Sequence, residues 1–166
     1  MAHAMFRSDN MEGTTDGKFL VSLYISTDAG LDNGNVVKVG ALKSGEREVR
    51  TYTTPALNDA LDDIAILGSE EVLKDKKYNT VGEFYNAKGT IARGYKLVPG
   101  DLFAVTAEAL NAVPDYTFTP GTTIVELMAG NKLNAVDSLT SGATKVGVLE
   151  AKEIDGAVTW LVFRVV

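Results

Sequence analysis

Two β-rich runs near the C-terminus, Lys145 to Lys152 (KVGVLEAK) and Ala157 to Val166 (AVTWLVFRVV), are separated only by Glu153-Ile154-Asp155-Gly156. Asp-Gly between runs of β-branched and aromatic residues is a strong hairpin signal, because glycine takes the backbone angles of a tight turn without steric cost. A chain that ends inside a strand uses its C-terminus structurally. Antiparallel sheet is therefore expected at the end of the chain, and the same rhythm recurs upstream.

Phe19 to Ile25 (FLVSLYI) reads as a strand that ends in the polar stretch Ser26 to Asn35. Asn33-Gly34 predicts a turn, and Val36 to Leu42 resumes the strand pattern, so a hairpin is expected here. Glu48 to Thr54 alternates charged with β-branched or aromatic positions and stops at Pro55, as a strand with one wet face does. In Val98-Pro99-Gly100-Asp101 the proline and glycine stand where a type II turn needs them, which predicts a second hairpin. Tyr116 to Thr119 alternates, Pro120-Gly121 turns, Thr122 to Leu127 reads as a strand, and Ala129 to Lys132 turns again. The expected fold class is mainly β, a small barrel or sandwich.

Residues 18–166 read as one β-rich domain, with 55–86 as a minor helical insertion or subdomain. Within that stretch, Ala56 to Asp63 suits a helical turn, Ile64 to Gly68 a buried strand, and Glu70 to Lys77 a turn or short helix. Residues 1–17 mix Met, Ser, Asp, Asn, Thr and Gly without a sustained period and read as a flexible N-terminal arm. Two readings of it stand: a frayed terminus, or an arm that orders against a partner through Met5, Phe6, Arg7 and Met11.

At 166 residues and 45% hydrophobic, the chain can bury a sizeable core. Sixteen Lys and Arg against 22 Asp and Glu give a formal charge of −6, the wrong sign for a phosphate-binding surface, so no nucleic-acid partner is expected. No apolar run approaches the roughly 20 residues of a membrane-spanning helix. The first ten residues lack the basic start and apolar centre of a secretory signal, which fits a protein made in a cytoplasm.

The absence of cysteine removes disulfides, thiolate metal sites and cysteine nucleophiles. His3 is the only histidine, and its place in the expected arm removes histidine-based triads and multi-histidine metal sites. Neither the phosphate-loop pattern nor the G-x-S-x-G nucleophile elbow occurs, and Gly89 to Gly94 lies between apparent strands instead of opening a helix. No catalytic residue, metal site or cofactor is assigned, and the chain is expected not to be an enzyme.

Other features have two readings. Asp28, Asp32, Asn33 and Asn35 offer oxygens to a cation such as calcium, but they are also ordinary turn residues without EF-hand spacing. Glu46/Glu48, Asp62/Asp63 and Glu70/Glu71 are adjacent acids that read as solvated surface. Asp101 and Glu108 flank apolar strand residues and call for partners, with Arg93 and Lys96 as candidates. Tyr85, Tyr95, Phe103, Tyr116, Phe118 and Trp160 either pack the core or form a platform for a sugar.

The polar N-terminal segment MAHAMFRSDNMEGTTDGKF, the body segment GTIARGYKLVPGDLFAVTAEAL and the closing TKVGVLEAKEIDGAVTWLVFRVV together resemble the head decoration, or cement, proteins of tailed bacteriophages. The resemblance implies a virion structural protein on the outer capsid surface, made in the host cytoplasm. Its partner would be the major capsid protein, and it would be a homo-oligomer, often a trimer in that family. The alternatives are a carbohydrate- or cell-surface-binding β-module and another virion part such as a tail-tube subunit.

Overall fold

The computed structural model describes residues 3–72 and 81–166. After a first short strand, β1 (Phe6–Asn10), the chain builds a closed five-stranded barrel from β2 (Leu20–Tyr24), β3 (Val36–Leu42), β4 (Val49–Thr53), β5 (Ile64–Leu67) and β6 (Ile91–Lys96), in the order β2-β4-β3-β5-β6. The remaining strands are β7 (Leu102–Val105), β8 (Leu110–Asn111), β9 (Ile124–Glu126), β10 (Leu133–Val136), β11 (Lys145–Asp155) and β12 (Val158–Val165). With β1 they form a curled sheet in the order β1-β7-β12-β11-β9-β10-β8. The protein is thus mainly β and contains a barrel.

The four apolar residues of β5 join barrel to sheet. Side chains alternate across a strand, and every residue of β5 is buried, so the strand is covered on both faces. Ala65 and Leu67 pack inside the barrel with Leu23, Ile25, Val37 and Ala92. Ile64 and Ile66 pack with Val36, Tyr95 and Leu97 in a second apolar layer shared with Phe103, Leu149 and Phe163 of the sheet. Phe103 and Phe163 are directly opposed on β7 and β12, with ring centroids 5.7 Å apart.

The closing hairpin forms as expected. β11 and β12 pair down to Asp155 and Val158, so Gly156 and Ala157 are the two turn residues, and Gly156 has φ +59°. The type II turn also forms, with Gly100 at φ +99° and Asp101 N–H donating to the Val98 carbonyl at 3.0 Å. It does not close a hairpin, however: β6 belongs to the barrel and β7 to the sheet, and the turn carries the chain between them. The turn at Asn33-Gly34 likewise separates β2 from β3, which do not pair; β2 lies between β4 and β6. Tyr116 to Thr119 is not a strand; Tyr116 and Phe118 instead meet edge to face, with centroids 5.0 Å apart.

Where an arm was expected, residues 3–17 are built into the body. Phe6 and Arg7 pair with Val105 and Ala104 of β7, and Met11 is only 1% exposed. The physical reason is that β7 would otherwise present an open row of backbone donors and acceptors, which β1 satisfies despite its weak strand propensity. Among the described residues of the insertion expected over 55–86, the helical content is short 3-10 turns at Leu61–Asp63 and Val81–Glu83, while β5 is an integral barrel strand. The turn or helix expected over 70–77 lies largely outside the described residues.

Candidate binding groove

The outer wall of the barrel carries a groove of about 1150 Å³. Its floor follows from the alternation along β6: Ala92 and Gly94 face inward, whereas Ile91 and Arg93 are exposed. A Cβ at Gly94 would come within 2.9 Å of Leu23 Cδ1 and Val21 Cγ2, so the packed interior leaves no room for a side chain there. Leu20 and Ser22 of β2, Arg50 of β4 and Leu42 at the end of β3 extend the floor, and Phe84, Tyr85 and Asn86 form a wall. Four of the eight large apolar side chains exposed among the described residues line this one groove: Leu42, Val72, Tyr85 and Ile91.

A buried amide network fixes that wall. Asn86 exchanges backbone hydrogen bonds with Leu31, and its Nδ2 donates to the Leu31 carbonyl at 3.0 Å and to Asn33 Oδ1 at 3.2 Å. Asn33 Nδ2 donates to the Ser69 carbonyl at 2.9 Å and to Glu71 Oε1 at 3.2 Å, and Asn33 Oδ1 accepts from Ser69 N–H. Two asparagines thereby tie three chain segments together under the groove. Burial pushes the Glu71 carboxyl above its ordinary range, opposed by the bond from Asn33. Tyr85 is held from its other side by the His3 ring, stacked at 4.8 Å, and His3 Nδ1 lies 2.6 Å from Asp32 Oδ1.

The groove mixes charge with apolar surface. Arg47, Arg50 and Arg93 face it together with Glu48 and Glu70. Arg50 Nη1 donates to the Gly40 carbonyl at 3.1 Å. Arg93 lies 3.5 Å from Glu70, an exposed pair worth well under about 1 kcal/mol.

The residues expected to act as arm contacts are elsewhere. Met5 exchanges hydrogen bonds with Thr106, Phe6 packs 5.6 Å from the Tyr95 ring, and Met11 is in the core. Arg7 pairs with Asp9 and with Glu153, at 2.6 Å for the latter, and covers the Trp160 ring at 5.1 Å. None of the four lines the groove.

The oxygens considered for a cation have structural duties instead. Asp28 pairs with Lys88, Asp32 accepts from His3 and from Ala4 N–H, Asn33 serves the amide network, and Asn35 Oδ1 accepts from Asp32 N–H. Among the described residues no three His, Asp or Glu side chains gather as a metal-binding group.

Asp101 is buried and accepts from Val98 N–H and Glu12 N–H, so Arg93 and Lys96 are not its partners. Glu108 meets Lys132 only through its backbone carbonyl. Of the six aromatic residues considered for a platform, Tyr85 alone reaches the groove, beside Phe84, while Tyr95 and Phe103 are buried.

Sequence reasoning passed over Glu126, a fully buried carboxylate on β9. It accepts from Thr140 Oγ1 at 2.6 Å, Thr140 N–H at 2.8 Å and Asn134 Nδ2 at 2.9 Å. Burial acts to raise its pKa, but these bonds outweigh burial and hold it below the ordinary glutamate value. It fastens the loop after β10 to the sheet. The sequence contains only a Glu inside an apolar run, Ile124-Val125-Glu126-Leu127, as a signal for such a site.

No protein-family model, curated protein or solved structure matches this chain.

Proposed function

We propose that the protein is a non-enzymatic structural component of a tailed-phage virion that works by binding other proteins, seated on the outer face of the capsid shell. The observation that carries the binding part of this reading is the collection of Leu42, Tyr85 and Ile91, all exposed, in one groove on a closed barrel. Apolar residues surrounded by arginines and glutamates have the make-up of a protein-contact surface, with a dry centre and a charged rim. The capsid as partner rests on the resemblance carried by the body segment and the closing strands. A rigid docking surface repeated around an icosahedral lattice gains strength from multivalency even where each contact is weak.

Co-sedimentation with a panel of empty tailed-phage capsids tests the proposal. Saturation at a stoichiometry matching a symmetry axis of the shell is the expected result. Failure to bind any capsid overturns it.

A second reading, a carbohydrate-binding module, is favoured by one observation: Phe84 and Tyr85 stand together at the groove wall beside Asn86 and Arg93. Oligosaccharide binding that disappears in Tyr85→Ala, with no capsid binding, selects this reading.

A further inference from the structure

Asn33-Gly34 is the single Asn-Gly pair in the sequence, and the fold requires both residues. Gly34 has φ +84°, and a Cβ there would come within 2.9 Å of Ala109 Cβ and 3.1 Å of Val105 Cγ1. Only glycine suits that conformation in that space. Asn33 is 1% exposed, and its amide makes all four hydrogen bonds of which it is capable. Nδ2 gives both protons, to the Ser69 carbonyl and to Glu71, while Oδ1 accepts from Ser69 N–H and from Asn86. An aspartate in its place could accept but would have no proton to give.

Asparagine is a chemically labile residue, and a following glycine, having no side chain, leaves its backbone nitrogen open to react with the asparagine amide. We propose that Asn33 is a latent site of spontaneous deamidation, shielded while the groove wall is closed and converted irreversibly once the wall opens. The Gly34 nitrogen bonds to Asn33 Cγ, the Cγ–Nδ2 bond breaks, and the proton displaced from Gly34 leaves with Nδ2 as ammonia. Water then opens the resulting succinimide. Attack at the side-chain carbonyl gives aspartate, and attack at the main-chain carbonyl gives isoaspartate, whose backbone is one carbon longer. The reaction consumes only water.

The closed wall opposes each step. Gly34 N–H is donated to the Leu67 carbonyl at 2.7 Å, the four bonds immobilise the leaving amide, and burial keeps water from the site. The wall itself is closed from the N-terminal side. Tyr85 rests against Gly30, where a Cβ would lie 2.7 Å from Tyr85 Cδ2, and His3 stacks on Tyr85 while its backbone N–H donates to the Gly82 carbonyl at 2.7 Å. Conversion prevents the wall from closing as before. One oxygen of an aspartate at this position would keep the Ser69 N–H and Asn86 donors, but the other would be set against the Ser69 carbonyl and the Glu71 carboxyl, where a buried charge is destabilised. The site therefore records opening of the wall, whatever ligand the groove takes.

Peptide mapping by mass spectrometry tests this on the full chain, incubated in mildly alkaline buffer with and without guanidinium chloride. In denaturant Asn33 is expected to convert before the other asparagines, to both aspartate and isoaspartate. In native buffer its conversion should be at least about tenfold slower, because it waits on local opening. Tyr85→Ala and His3→Ala each loosen the wall without removing a hydrogen bond to Asn33, and each is expected to raise the native-buffer rate several-fold while circular dichroism stays unchanged. Asn33→Asp supplies the product directly. At neutral pH its Leu31 and Asn86 amides, which bond each other's carbonyls across the wall, should exchange hydrogen faster than in wild type, with β11 and β12 unchanged.

No reaction at Asn33 in denaturant overturns the site, and equal rates in denaturant and native buffer overturn the shielding. Wild-type rates in the folded Tyr85→Ala and His3→Ala variants show that the wall is not the gate. Wild-type exchange at Leu31 and Asn86 in Asn33→Asp defeats the claim that conversion is irreversible for the wall.

Discussion

Ile66 and Leu67 are consecutive residues of β5, yet Leu67 is packed inside the barrel and Ile66 in the layer between barrel and sheet. A single strand therefore contributes to both apolar interiors, and no covering element separates them. The consequence is mechanical as well as energetic: a cavity opened on either face of β5 is felt by the other.

Leu67→Ala and Ile66→Ala should each cost about 2–5 kcal/mol, as expected for truncating a fully buried aliphatic side chain. Trp160, the only tryptophan, is on β12 in the sheet, whereas Leu67 is inside the barrel. Trp160 fluorescence and far-ultraviolet circular dichroism should nevertheless report the same urea midpoint for Leu67→Ala. Two separated transitions, with the fluorescence midpoint left at the wild-type value, would show that barrel and sheet unfold independently.

Glu126 predicts an acid-sensitive term in stability. Its pKa in the fold is held below the ordinary glutamate value of 4.5, so the unfolded chain binds the proton more readily. The stability it contributes is complete above that ordinary value and is lost as pH falls through the lowered one. Glu126→Gln removes this proton linkage, and at neutral pH it leaves the Thr140 and Asn134 donors poorly matched, at a cost of about 1–3 kcal/mol. Urea unfolding at a series of pH values should show a smaller drop between neutral and strongly acid conditions in the variant than in wild type. Equal drops would contradict the assignment.

What the sequence made legible was local. Asp155-Gly156 identifies a hairpin correctly because its two strands adjoin in the chain and pair with each other. Asn33-Gly34 and Val98 to Asp101 make their turns, but burial decides what pairs beyond them: β2 and β6 find each other across about 70 residues, and β7 joins β12 near the C-terminus. Strand β1 was invisible because Phe-Arg-Ser-Asp-Asn carries no strand pattern, and its pairing depends on an open edge supplied a hundred residues later. At the groove, the exposure of Ile91 and Arg93 is readable from alternation, whereas their convergence with Leu42 and Tyr85 follows from barrel closure, which no local pattern encodes.

Removing Trp160 to Val166 should abolish cooperative folding. Strand β12 lies between β7 and β11, so its loss exposes two strand edges and removes Leu161 and Phe163 from the core. The truncated chain is expected to lack a sigmoidal thermal transition and to bind a hydrophobic dye. A soluble truncation that melts cooperatively would contradict the central role given to this strand.

Gly68 gives access to the N-terminal strand without touching it. The residue directly follows β5, and a Cβ there would lie 2.6 Å from Phe6 Cδ1 and 2.8 Å from Tyr95 Cε2, closer than real side chains approach. Tyr95 is fixed in the core, so Phe6 is the ring that must yield, and with it the pairing of Phe6 and Arg7 to β7. Gly68→Ala should therefore loosen residues 3–11 before it unfolds the body. Hydrogen exchange should show faster exchange at the amides of β1 in the variant while the protected amides of β11 and β12 stay close to wild type. Uniform acceleration would mean that the strain spreads through Tyr95 into the shared core, and unchanged β1 exchange would mean that Phe6 does not anchor the segment.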